Sequence, residues 1–143
     1  MTAFDSREIT IATPAGTAIQ TKNDARVYNM ALKVRRGTTP ATAAWAQNDT
    51  WNVATLPAGA TIIGFRISNG AFGSSVTLGL TANDGSARTL VTAYSVASAG
   101  NNFKPCEYSA QMATAVTVVA TLAAADPTDD AQCTIDVLYV VVN

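Results

Sequence analysis

The chain has 143 residues, 48% of them hydrophobic, with nine basic and ten acidic side chains, two cysteines and no histidine. Without histidine, Ser-His-Asp and Cys-His catalysis and most metal sites drop out. A net charge of −1 with one adjacent basic pair, Arg35-Arg36, leaves little footprint for nucleic acid.

A chain of this length reads as one domain, which buries roughly 68–70% of its unfolded surface and needs no metal or disulfide to fold. The opening Met1 to Glu8 is polar and lacks the apolar core of a secretory leader. No apolar run approaches the ~18 residues of a membrane span. Synthesis in a cytoplasm is therefore expected, with no membrane partner.

Residues 1–25 read as an extended N-terminal arm. Ile9 and Ile11 alternate with Glu8, Thr10 and Ala12, and Thr13-Pro14-Ala15-Gly16 interrupts them. Such an arm either frays or orders on a neighbouring subunit. Residues 26–143 read as a β-sandwich domain. Arg26 to Arg35 is the first strong strand, with Tyr28, Met30, Leu32 and Val34 on one side. Arg36-Gly37-Thr38-Thr39-Pro40 should end it. Trp45 follows in a polar loop, either covering the edge of its own core or anchoring an interface.

Thr50 to Leu56 mixes apolar and hydroxyl residues with a β-branched bias, as a half-buried strand does. Pro57 cannot donate to a ladder, so Pro57-Ala58-Gly59 is a turn. In Thr61 to Ser68, strict alternation puts Ile63, Phe65 and Ile67 on one face and Ile62, Gly64, Arg66 and Ser68 on the other. Asn69 to Gly73 reads as a loop. Val76, Leu78 and Leu80 then alternate with Thr77, Gly79 and Thr81, before a turn at Asn83-Asp84-Gly85.

This stretch resembles a recurrent pattern in small structural proteins of tailed bacteriophages. There an "LP-x-GA-x-I" segment opens a strand, an apolar-Phe pair sits in the next loop, and a "D-G" turn follows. The matching residues are Leu56-Pro57-Ala58-Gly59-Ala60-Thr61-Ile62, Ala71-Phe72 and Asp84-Gly85. The stretch from 50 to 85 is about a quarter of the chain. The resemblance implies a head decoration or cement protein, or a fibre-base protein, built as a β-sandwich or jelly roll and often trimeric.

Arg88 to Val96 is the next strand, with Leu90, Thr92, Tyr94 and Val96 on one face. Ala97 to Lys104 reads as a loop that Pro105 prolongs. Cys106 to Met112 stays open between strand and loop. Thr114 to Leu122 is rich in Val and Thr and reads as a strand, though its alanines also permit a helix. Ala123 to Asp130 is an acidic loop. Gln132 to Val142 is the last strand. Cys133, Ile135, Val137, Tyr139 and Val141 share one face; the other begins polar at Thr134 and Asp136 and turns apolar at Leu138, Val140 and Val142. Such a strand is central in its sheet and covered on both sides. Its outer face would be covered by the arm or by another subunit, since an exposed one is an aggregation hazard.

The count is about seven or eight antiparallel strands, giving an all-β fold: a single β-sandwich or jelly-roll-like domain. Asp126, Asp129 and Asp130 share a loop, but a hard cation wants six or more oxygens, so a solvated loop is the better reading. Cys106 and Cys133 are either two buried thiols or a disulfide formed late in a released particle. No catalytic, metal, cofactor or small-molecule site is expected, and no enzyme activity.

With the resemblance, these features suggest a capsid decoration or cement protein that stabilises contacts between coat subunits. It would be made in a host bacterial cytoplasm and carried on the capsid surface of the virion. Its expected partners are the major capsid protein and itself, as a homotrimer. Candidate contacts are Phe4, Ile9, Ile11, Arg35, Arg36, Trp45, Phe72, Leu138, Val140 and Val142, taken as apolar and Arg anchors. The alternatives are a receptor- or glycan-binding sandwich of a fibre or spike, using Trp45 with Gln47 and Asn48, or Asn101, Asn102 and Phe103, and a tail-tube or neck component.

Overall fold

The structure is a computed structural model that describes residues 31–39, 44–128 and 131–141. The arm, with Phe4, Ile9 and Ile11, lies outside the described residues, as do Val142 and the first part of the strand expected from Arg26.

The described residues form eight strands and no helix: β1 (Lys33–Thr38), β2 (Thr50–Leu56), β3 (Ala60–Asn69), β4 (Thr77–Asn83), β5 (Ala87–Ser95), β6 (Gly100–Pro105), β7 (Val116–Ala123) and β8 (Cys133–Val141). They make two four-stranded sheets, β1-β8-β3-β6 and β2-β7-β4-β5, and every pairing is antiparallel. The chain passes from one sheet to the other at every connection except β4 to β5. That is a jelly-roll-like sandwich, as the alternation in the sequence implies.

The core lies between the sheets. β8 contributes Cys133, Ile135, Val137 and Tyr139, and β3 contributes Ile62, Phe65 and Ile67. The facing sheet answers with Val116, Val118, Ala120 and Leu122 of β7 and Leu78 and Leu80 of β4. As expected, β8 is an inner strand, held by β1 on one side and β3 on the other. β2 ends at Leu56 before Pro57, and Gly59 takes a φ of 86° in the turn, a left-handed conformation that suits glycine.

Five details differ from the sequence reading. The first is at Arg36-Gly37-Thr38, which continues β1 rather than ending it: Gly37 pairs with Ile135 and Thr38 with Thr134. Gly37 is there for a close approach between the sheets, because a Cβ would run into the backbone carbonyl of Val53 on β2. Gly37→Ala is therefore expected to cost about 1–3 kcal/mol, as overpacking against rigid backbone does. Gly79→Ala is the control, since its Cβ would sit 3.4 Å from Thr92 O, an ordinary contact. Equal urea midpoints for the two variants would contradict this placement of β1.

The second is a bulge in β3. Ile62 pairs with Tyr139 and Gly64 with Leu138, so Ile63 is extra. Ile62 therefore joins Phe65 and Ile67 in the core, while Ile63 is exposed. The third is a bulge in β5, where Leu78 pairs with Tyr94 but Leu80 with Val91. It turns Thr92 outward instead of inward. Glu107 then accepts hydrogen bonds from Thr92 N and Oγ1, both at 2.6 Å.

The fourth is β6, which the sequence suggests is a loop. It is an edge strand with no buried residue, and Pro105 closes it against Gly64, where an edge tolerates proline. The fifth is Phe72. It is not an exposed loop anchor but 0% exposed, and its N–H donates to Val96 O at 2.9 Å.

Candidate interaction surface

The outer face of β1-β8-β3-β6 is set by the register. Three rows cross it. Val34, Leu138 and Gly64 are opposite one another; so are Arg36, Asp136, Arg66 and Phe103, and so are Thr38, Thr134, Ser68 and Asn101. The Phe103 ring lies over Gly64, where a Cβ would collide with it. Gly64 thus leaves a trough in the sheet that the aromatic ring partly fills.

The first row, with the Phe103 ring reaching over it from the second, is apolar and open. Val34 is 57% exposed and Phe103 51%, and Leu32 just before β1 is 56% exposed. Leu138 and Val140 are half-buried on the same face. A groove of about 500 Å³ lies on this face, bounded by Val34, Leu138 and Phe103 and by Arg66, Asn101, Asn102 and Asp136. Its volume falls within the range of small ligand sites, but it is open to solvent, and its polar side chains are engaged with one another, with Arg36 or with Tyr94.

The second row is ionic. Arg36 donates two hydrogen bonds to the Asp136 carboxylate, at 2.7 and 2.9 Å. This bidentate pair holds Asp136 below the usual carboxylate range, chiefly through the Arg36 hydrogen bond, with the charges of Arg36 and Arg66 assisting. Arg66 donates to Asn101 Oδ1 at 3.2 Å and makes no ion pair of its own within 4 Å among the described residues. The row therefore holds two cations and one anion, beside an apolar strip.

At the β4–β5 turn of the other sheet, Arg88 donates to the buried Asp84 at 2.8 Å and stacks 4.5 Å from the Tyr108 ring centroid. Asp84 also accepts from Ala113 N, which is the main cause of its lowered pKa. Glu107 is lowered too, first by the Thr92 hydroxyl and then by its N–H.

Asp84, Glu107 and Asp136 share one linkage sign. Each releases its proton at lower pH when folded than when unfolded. The unfolded chain therefore binds more protons as pH falls through the ordinary carboxylate range, and stability falls with it. Urea midpoints are expected to be level above about pH 5 and to drop below about pH 4. Arg36→Ala should raise the Asp136 titration toward its ordinary value, read by NMR of the carboxyl carbon. An unmoved Asp136 would show that Arg36 is not what holds it.

The structure separates the other candidate residues. Arg36, Leu138 and Val140 lie on the outer face, and Arg35 turns to the edge, where Nε donates to Tyr139 OH at 3.4 Å. Trp45 is half-buried against Trp51, with ring centroids 5.3 Å apart and planes tilted by 52°. It packs against the edge of its own core and stays partly exposed. Asn102 is occupied too, donating to Tyr94 OH at 2.9 Å. Asp126 accepts from Gln47 N at 2.8 Å and so ties two loops together. Asp129 and Asp130 lie outside the described residues, and no group of three metal-ligating side chains occurs among the described ones.

The cysteines do not pair. Cys106 N donates to Ile63 O, while Cys133 pairs with Asn69, six positions further along β3. That is roughly 20 Å at about 3.3 Å per residue, far beyond disulfide reach. Burial pushes both thiols up, Cys133 to about 12.

The residue that sequence reasoning missed is Arg66, while Phe103 was named only for the glycan-binding alternative. Arg66 was legible as an outward residue of β3. Phe103 was legible only as a loop aromatic, because the edge strand that carries it shows no alternation.

No family model matches this chain, and no curated protein matches it. Solved structures do. A chain of the cyanophage Pam1 capsid matches with a TM-score of 0.63 and 20% identity over 99% of both chains. A chain of the capsid of Ralstonia phage GP4 matches with a TM-score of 0.58 and 17% identity, over 79% of this chain and 86% of that one. A chain of the acid-stable capsid of Helicobacter pylori bacteriophage KHP30 matches with a TM-score of 0.51 and 14% identity, over 79% of this chain and 90% of that one. At these identities the likeness is one of fold: this eight-stranded sandwich is similar to chains found in three phage capsids.

Proposed function

We propose that this chain is a structural component of a tailed-phage virion that decorates or cements the capsid. The observation that carries the reading is the match to the Pam1 capsid chain over 99% of both lengths. The neighbour is thus a capsid chain of about this size, not a domain inside a much larger protein. The GP4 and KHP30 chains are likewise matched over most of their own length, 86% and 90%. The resemblance around Leu56-Pro57-Ala58-Gly59 points the same way.

The mechanism is mass action. A protein that binds only assembled coat subunits stabilises the assembly. Many symmetric copies turn a modest contact into avidity. Among the described residues, Arg36, Leu138 and Val140 on the outer face, Arg35 at its edge and the partly exposed Trp45 remain the contacts of choice, now joined by Val34 and Phe103. Phe72 is withdrawn because it is wholly inside. A homotrimer remains the proposed oligomer.

The test is addition of purified chain to shells assembled from the coat protein alone. Saturable co-sedimentation at a fixed ratio to coat, with a raised shell melting temperature, is expected. A chain that stays in the supernatant at every concentration would overturn the reading.

A further inference from the structure

The two outer faces of the sandwich differ in charge. β2, β4 and β7 carry no charged residue, and the one charge on β5, Arg88, is bound to the buried Asp84 and stacked on Tyr108. The other sheet carries Arg36, Arg66 and Asp136 across its outer face. On the uncharged face, Asn52, Val119, Thr81 and Thr89 stand opposite one another and form a central row. Thr117 and Thr121 flank Val119 on β7. The β7 residues are half-buried and the other three are exposed. Glu107, held by Thr92, sits at the β5 margin.

Charged side chains are mostly exposed to water and are depleted where one protein surface covers another. This face also has a chemistry that fits itself. A Thr hydroxyl both donates and accepts, so a row of them can pair with its own copy, while their methyls and Val119 supply apolar contact. No like charges meet across such a pair. The same docking of the other sheet would set two cations on each side, which disfavours it. Four strands about 4.8 Å apart, with seven residues at about 3.4 Å each, give roughly 450 Å² per copy, or roughly 900 Å² in all. That lies below the range of stable complexes and within that of weak, reversible ones.

We infer that the outer face of β2-β7-β4-β5 is a weak self-docking surface, on which a second copy of this chain packs face to face about a two-fold axis. The contact joins copies in pairs, so it adds to a trimer closed through other surfaces. It gains effect where many copies are held side by side. The inference goes beyond the virion reading, and its test uses the free chain.

NMR of nitrogen-labelled chain over a concentration series tests it. From micromolar to millimolar chain, the amide shifts of Asn52, Thr81, Thr117 and Val119 are expected to move, with slower tumbling and little dependence on salt. Thr81→Arg puts facing cations at the centre of the pair and should weaken the association several-fold. Thr89→Arg, at a second exposed position of the same row, should do the same. Val34→Arg on the other outer face should leave it unchanged. Unmoved shifts at millimolar chain would overturn the inference. So would shifts centred on Val34 and Phe103, or an association that both threonine variants leave intact. Loss of shell addition in Thr81→Arg, with a free chain that never associates, would assign the face to the coat and overturn the inference too. Shell addition by the unaltered chain is read separately, so the two proposals fail separately.

Discussion

Phe72→Ala is expected to lower the unfolding free energy by about 3–5 kcal/mol, the range for a large aromatic truncated inside a core. The ring is 0% exposed. Its backbone is fixed on both sides: Phe72 N donates to Val96 O, and Thr128 N donates to Phe72 O, each at 2.9 Å. These bonds tie the β3–β4 loop to the end of β5 and to the β7–β8 loop, so the loop cannot simply collapse into the space the ring leaves. The cavity term therefore adds to the lost transfer energy. Urea unfolding reads the change as a lower midpoint at unchanged slope. A cost below about 1 kcal/mol, the level of an ordinary surface substitution, would mean that the loop folds differently and that Phe72 is free to act outside.

Leu78→Ala comes second, with an expected cost of about 2–5 kcal/mol. Leu78 is 0% exposed in the middle of β4, between Tyr94 on β5 and Leu122 on β7. Its neighbour Thr77 points to the opposite, half-buried face. Thr77→Ala is expected to cost less than about 1 kcal/mol. The pair is a register test, because a slip of one residue exchanges the two faces of the strand. Reversed costs would place Thr77 in the core, and the pairing of β4 with both neighbours would be wrong.

Where the residues alternate, the sequence was enough to place them. β2 ends at the proline that cannot donate, β7 and β8 keep a strict period of two, and β8 is central because both of its faces carry apolar residues. Strict alternation was also the source of the errors. A bulge inserts a residue that no periodicity reveals, and so Ile62 and Ile63 exchange faces and Thr92 turns outward. β6 was invisible for a different reason. An edge strand with both faces wet has no need of apolar residues, and its Asn-Asn and terminal Pro read as loop. Gly37 is a third kind of case. Glycine marks either a break or a close approach, and only the position of Val53 decides between them.

The interaction surface was half legible. Leu138 and Val140 could be assigned to one face from β8 alone, whereas Arg36 was read as the end of its strand and joins that face only through its pairing with Asp136. Their assembly with Arg66 and Phe103 depends on the crossovers that bring β8 between β1 and β3, and on the bulge that turns Gly64 outward beneath the Phe103 ring. Both are tertiary facts. Phe72 failed as an anchor because an aromatic between glycines suits a buried loop as well as an exposed one.

The most direct measurement of the virion role is a cryo-electron reconstruction of shells incubated with this chain, beside shells of coat protein alone. Additional density is expected on the outside of the shell at symmetry-related positions, each fitted by the eight-stranded sandwich. Identical maps with and without the chain, or sandwich density confined to the tail of the mature particle, would contradict a role in decorating the capsid.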